Sequence, residues 1–138
     1  MKFLTPCLLM MLVAEHASAE TVTGAAKARD ATTIEIAGGR FRLDGIAPPE
    51  EGRTCGAEPC ADIARDALQE LVSKGDFACE KLRKLGHGFF LAHCKDGAGA
   101  DIAIALIAAG WTAAESGATP AYVEAEAKAK AAGLGMWK

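Results

Sequence analysis

The chain has 138 residues, with 15 Lys and Arg against 18 Asp and Glu, for a formal charge of −3. That length suits one domain, and a 51% hydrophobic content is enough to build a core, which excludes a disordered tail or a fibrous repeat. The acidic balance lacks the strong positive field of a nucleic-acid binder, and no stretch after the first residues is long and apolar enough to span a bilayer.

Residues 1–19 read as a secretory leader. Lys2 supplies the charged start, residues 3–13 the apolar run, and Ala17, Ser18 and Ala19 the small-residue cleavage site. Residues 20–138 are then the domain, periplasmic or secreted, with no transmembrane segment after cleavage. Residues 21–27 and 33–36 carry alternating and β-branched residues and predict two strands. Gly38-Gly39 signals a hairpin into a third strand over 40–46, with Phe41, Leu43 and Gly45 on one side and Arg40, Arg42 and Asp44 on the other. Pro48-Pro49 ends that strand, since proline donates nothing to a ladder.

Residues 60–73 predict a helix whose apolar stripe is Ile63, Ala67, Leu68 and Leu71. Strands over 77–82 and 88–94 follow, joined by a turn at 84–86 whose tip gathers Lys81, Arg83 and Lys84. This basic tip is a candidate substrate-binding patch, though no aromatic stacking partner is apparent within it. Asp101 is a good N-cap for an apolar, buried helix over 102–109. A last helix runs from Pro120 to Ala132, with Gly133 as its stop. Trp111 and Trp137, at helix ends, are read as buried core and docking residues, and His93 as structural. Five strands with one helix between the third and fourth give an α+β class, a five-stranded OB-type β-barrel extended by two C-terminal helices.

Four cysteines follow the leader: Cys55, Cys60, Cys79 and Cys94. An even count in an exported chain predicts two disulfides. Cys79 and Cys94 lie on neighbouring strands, so we pair them, which leaves Cys55–Cys60. A zinc site using His87 or His93 is disfavoured because neither cysteine spacing is C-x-x-C.

Residues 42–50, RLDGIAPPE, resemble the R-L-x-G-I-D-A-P-E signature of the thermonuclease (staphylococcal-nuclease-like) family. Residues 28–36, ARDATTIEI, resemble its first hairpin, x-x-D-G-D-T-I-x-V. Residues 101–111, DIAIALIAAGW, and 122–137 resemble its two terminal helices, D-L-N-x-x-L-V-x-x-G-W and Y-x-x-A-E-x-x-A-x-x-x-x-x-G-x-W. The resemblance spans about residues 21–137. It implies that Arg42 holds a phosphate, that Glu50 positions the attacking water, and that His87 stands where a second phosphate-stabilising Arg would be. It also implies calcium as the family's ion, with ligand positions that fall here on Thr32 and Ala47.

Neither Thr32 nor Ala47 is a carboxylate, so we expect no bound calcium and no other cofactor. The expectation is a catalytically degenerate domain with a binding or structural role toward a protein or envelope partner. Nucleic acid is a weak possibility, and a monomer is expected. A weak or altered nuclease acting on single-stranded nucleic acid is the alternative. Without a metal, Arg42 and Glu50 would serve as a structural ion pair or as solvated strand ends.

Overall fold

The computed structural model describes Lys2, Ala14 and residues 19–138. The leader reading therefore lies almost wholly outside the described residues. Five strands form a closed barrel: β1 (Thr21–Ala28), β2 (Thr33–Ile36), β3 (Gly39–Leu43), β7 (Asp76–Gly86) and β8 (Phe89–Asp96). Between β3 and β7 the chain makes three two-residue strands, β4 (Ile46–Ala47), β5 (Thr54–Cys55) and β6 (Glu58–Pro59), and then helix α1 (Cys60–Val72). After β8 come α2 (Ile102–Ala108), β9 (Ala113–Ala114), α3 (Pro120–Ala131) and a 3₁₀ turn, Gly135–Trp137. The barrel order is β1-β2-β3-β8-β7, with β7 pairing back to β1 and β3 running parallel to β8. This is the expected α+β architecture, an OB-type barrel with α1 inserted between its third and fourth strands.

Period-two patterning builds the barrel wall. Val22, Gly24, Ala26 and Ala28 are the less exposed residues of β1, and all are small or medium. Gly24 needs to be small, because a Cβ there would stand 3.2 Å from Ile36 Cγ2. Larger side chains then fill the interior: Ile34, Ile36, Phe41, Leu43, Leu68, Leu106 and Ile107 are all essentially inaccessible. Each such burial is worth about 1.5–3 kcal/mol relative to exposure. Phe41 also stacks against Phe90, with ring centroids 6.0 Å apart. Helix α1 lies against β1, where the Ala28 N–H donates to Gln69 Oε1 at 2.9 Å.

Several elements depart from the expected limits for identifiable reasons. The third strand stops at Leu43, not at residue 46. Gly45 has φ 78°, and a Cβ there would be 2.9 Å from the Tyr122 ring, so the chain turns at this point. Ile46 and Ala47 then pair with Ala114 and Ala113. The β2–β3 hairpin turns at Ala37-Gly38, both at positive φ, with Gly39 already in the strand. β7 continues through residues 84–86, so the turn falls at His87-Gly88. Register shifts between Lys81 and Arg83 and between Lys84 and Gly86 allow this, because each accommodates an extra residue.

The buried stripe of α1 is Cys60, Ala64, Leu68 and Val72, rotated from the expected one because Cys60 is held inward by its disulfide. Trp111 and Trp137 are half-buried, not buried. The Trp137 ring meets two cations, Arg53 at 5.3 Å and Lys130 at 4.5 Å from its centroid, whose charged ends stay hydrated beside it.

Both disulfides form as expected. Cys79 and Cys94 are directly opposed on β7 and β8, and Cys55 joins β5 to Cys60, the first residue of α1. For the pair 15 residues apart, the chain-entropy estimate of stabilisation is about 3 kcal/mol.

The tail docks through two glycines. Gly110 and Gly135 pack backbone to backbone, and a Cβ on either would overlap the other segment's carbonyl. The Met136 N–H donates to Gly110 O at 2.9 Å across this contact. Gly110→Ala should therefore cost about 3 kcal/mol, since neither backbone can yield. Gly97→Ala, facing open space at an ordinary φ, should change stability by less than about 0.5 kcal/mol. Urea denaturation midpoints of the two variants check this.

Candidate functional site

Two of the residues singled out from the sequence, Thr32 and Arg42, line a surface cleft of about 410 Å³ at the β1–β2 turn, bounded by β3 and α1. Arg29, Asp30, Thr32, Arg42, Asp62 and Arg65 supply its polar lining, and Phe89 part of its apolar wall. Three guanidinium groups thus converge on one opening, but each has a carboxylate partner. Arg29 pairs with Glu35 at 3.4 Å and Arg65 with Asp66 at 3.0 Å. Arg42 Nη2 donates to Glu115 Oε1 at 3.3 Å, reaching 73 residues along the chain.

The Arg42–Glu115 pair replaces the expected alternative of an Arg42–Glu50 pair. Glu115 is delivered by the backbone: its N–H donates to Gly45 O at 2.9 Å and its carbonyl accepts from Ala118 N–H at 3.0 Å. Both side chains are 41% exposed, so the pair contributes only about 0.2–1 kcal/mol to stability. Its larger consequence is electrostatic, since a carboxylate occupies the fork an incoming anion would need.

The remaining candidates disperse. Glu50 is exposed, lies outside the cleft lining, and among the described residues only its backbone carbonyl is engaged, by Arg53 N–H at 3.1 Å. His87 is exposed in the β7–β8 turn, away from the cleft lining. Arg83 and Lys84 are exposed on β7 as expected. Lys81 is not part of that cluster. Its side chain is 20% exposed, salt-bridged to Glu20 at 2.9 Å and placed 4.2 Å over the Phe90 ring. The bulge after Lys81 separates it from the two outward cations. The absence of aromatics near this hairpin, expected from sequence, is also corrected: β8 brings Phe89 and Phe90 alongside, with Arg40 stacked 4.8 Å over Phe89.

The residues present do not fit a calcium ion. Thr32 is buried, its N–H donates to Asp30 Oδ1 at 2.9 Å, and its hydroxyl sits 3.4 Å from the same oxygen. Ala47 brings only a methyl group, on a strand paired to β9. Calcium takes six to eight oxygens, and these two positions place no carboxylate in the cleft. Among the described residues, no group of three or more His, Cys, Asp or Glu side chains is arranged to hold a metal.

A second polar centre, beside the first, escapes sequence reasoning. Asp101 caps α2 through Oδ1, accepting from Ala103 N–H at 2.8 Å. Its Oδ2 accepts the Tyr122 hydroxyl at 2.5 Å and lies 3.1 Å from His93 Nε2. One carboxylate thus joins β8, α2 and α3. These three side chains, with Asp44 and Glu115, line an adjoining cleft of about 450 Å³. The capping role was legible from Asp101 itself. The other two partners were not, because nothing in the spacing of residues 93, 101 and 122 marks them.

Burial, and then the hydrogen bond to Asp101, raise the Tyr122 phenol above its ordinary value. A raised folded-state value means that the phenol's contribution is complete below about pH 10 and is lost as pH rises through the folded value. Tyr122→Phe should cost about 1.5–3 kcal/mol at neutral pH, as for a hydrogen bond to a charged acceptor. The wild type should lose this advantage progressively above about pH 10, so that the two proteins converge. Chemical denaturation from pH 7 to the alkaline limit measures both.

No protein-family model matches the chain. It is 29% identical over 136 residues to the succinoglycan biosynthesis protein ExoI of Rhizobium meliloti (strain 1021), an alignment covering 94% of this chain and 71% of that protein.

Proposed function

We propose that this chain is an exported, thermonuclease-like OB domain that has lost calcium-dependent phosphodiester hydrolysis and works as a binding or structural module. The observation that carries the reading is the chemistry of positions 32 and 47. Calcium affinity rests on anionic oxygens, each of which offsets part of the ion's lost hydration. A buried hydroxyl and a methyl group supply none of that charge. Phosphoryl transfer would also need a water-positioning carboxylate and free cationic forks in one place. Here Glu50 and His87 lie outside the cleft lining and Arg42 is held by Glu115.

Two disulfides suit an oxidising compartment, and among the described residues no helix is long and apolar enough to cross a membrane. The disulfides support a periplasmic or secreted placement, and we read the domain as a monomer whose partner is a protein or an envelope component. The ExoI relative is named for succinoglycan biosynthesis, which supports a part in biosynthesis of that kind over nucleic-acid turnover. One observation favours the competing reading of a weak or altered nuclease: Arg29, Arg42 and Arg65 still line a single cleft with Asp30 and Asp62. The carboxylate already on each guanidinium weighs against it.

The unaltered protein should release no heat on titration with calcium up to about millimolar concentration. The double change Thr32→Asp with Ala47→Asp should create measurable calcium binding by restoring two carboxylates. Divalent-ion-dependent cleavage of single-stranded DNA or RNA by the unaltered protein, lost on Glu50→Ala, would overturn the proposal.

A further inference from the structure

The two disulfides sit in unlike surroundings. Cys79 and Cys94 are 0% and 1% exposed inside the barrel wall. Cys60 is equally buried, but Cys55 is half-exposed. Cys55 also lines a surface cavity of about 430 Å³ together with Thr54, Trp111, Gly135 and Met136. Of the four bridged cysteines, Cys55 is therefore the one that a reagent entering from solvent meets.

That bridge is tied to the docking of the tail. It closes the β5–β6 loop back onto the start of α1, where the Cys60 N–H donates to Arg53 O at 2.9 Å. Arg53 is thereby held with Nη2 donating to Met136 O at 2.5 Å and its guanidinium over the Trp137 ring. Met136 in turn bonds Gly110. Gly110 precedes the segment that forms β9, pairs with Ala47 and delivers Glu115 to Arg42. A continuous series of contacts runs from the accessible disulfide, through the tail, to the wall of the candidate site.

We propose that Cys55–Cys60 is a thiol–disulfide exchange site at which a dithiol reductant releases the carboxy-terminal tail. A thiolate of the reductant attacks Cys55 Sγ, forming a mixed disulfide and breaking the Cys55–Cys60 bond. The electron pair leaves on the Cys60 sulfur, which takes a proton from water. This sulfur belongs to the first residue of a 13-residue helix whose N-cap, Pro59, offers no side-chain cap. The departing negative charge therefore meets the positive end of the helix dipole, which favours its departure. The reductant's second thiolate then attacks its own sulfur in the mixed disulfide and expels the Cys55 thiolate, which is protonated. The chain gains two electrons and two protons, and the dithiol becomes a disulfide. With the loop open, Arg53 is no longer constrained and its holds on Met136 and Trp137 loosen.

The test uses the intact, oxidised protein under native conditions, with dithiothreitol as the dithiol. Timed quenching with iodoacetamide and peptide mapping should show Cys55 and Cys60 alkylated at least ~10-fold faster than Cys79 and Cys94. Amide hydrogen exchange at Met136 and Trp137 should rise at least ~10-fold over the same interval, while the barrel strands stay protected. The variant Cys55→Ser with Cys60→Ser should exchange rapidly at those amides without reductant and show no further response to it. Equal reduction of both bridges, or reduction of Cys55–Cys60 with no change in exchange at the tail, would overturn the proposal. The wild-type arm decides the matter even if the double variant does not fold.

Discussion

A five-stranded sheet must tilt and stagger strongly before its first and last strands can meet, and here residues 21–25 of β1 meet residues 76–80 of β7. Closure leaves no exposed barrel edge and sets the size of the interior. The small inward residues of β1 and the large ones of β2 and β3 are complementary solutions to that size. It also demands a crossover, because β3 and β8 run parallel and cannot be joined by a tight turn. The crossover contains α1, and the two bulges of β7 let the long hairpin follow the curvature of the wall. The disulfide between Cys79 and Cys94 lies across two neighbouring strands of that wall, where it restrains a pairing that the barrel already requires.

The candidate site sits on the outer side of the same strands, and its character is set by charge compensation. Each cleft arginine already meets a carboxylate, so little uncompensated positive potential is left to attract an anion. The adjoining cleft collects Asp44, Asp101 and Glu115 on its own walls. The Arg42–Glu115 pair lies between the two, donor on one side and acceptor on the other. The first cleft therefore presents paired hydrogen-bonding groups, while the second gathers carboxylates.

The second half of the fold is organised by backbone proximity and by one carboxylate. Asp101 gathers β8, α2 and α3, while the Gly110–Gly135 contact brings the tail against the end of α2. α3 has almost no apolar sidedness of its own and buries only Tyr122 and Ala129. Its position therefore depends on these specific contacts more than on a hydrophobic stripe, which makes the tail responsive to local changes such as the one at Cys55–Cys60.

Strand alternation in residues 21–43, the cap at Asp101 and the pairing of four cysteines were all decided locally, and so were legible in the sequence. That Thr32 and Ala47 offer no carboxylate was legible too, because ligand chemistry is a property of the side chain. What the sequence could not carry were distances between residues far apart in the chain. Arg42 finds Glu115, Tyr122 and His93 share Asp101, and Lys81 turns away from Arg83 to meet Glu20, each through the barrel's closure and bulges. The ends of β3 and β7 were misplaced for the same reason: Gly45 turns under the Tyr122 ring, and the bulges carry β7 past its apparent stop. Local sequence determines which groups a segment offers, but only packing decides which of them meet, because a hydrogen bond or ion pair across tens of residues leaves no periodic trace in the chain.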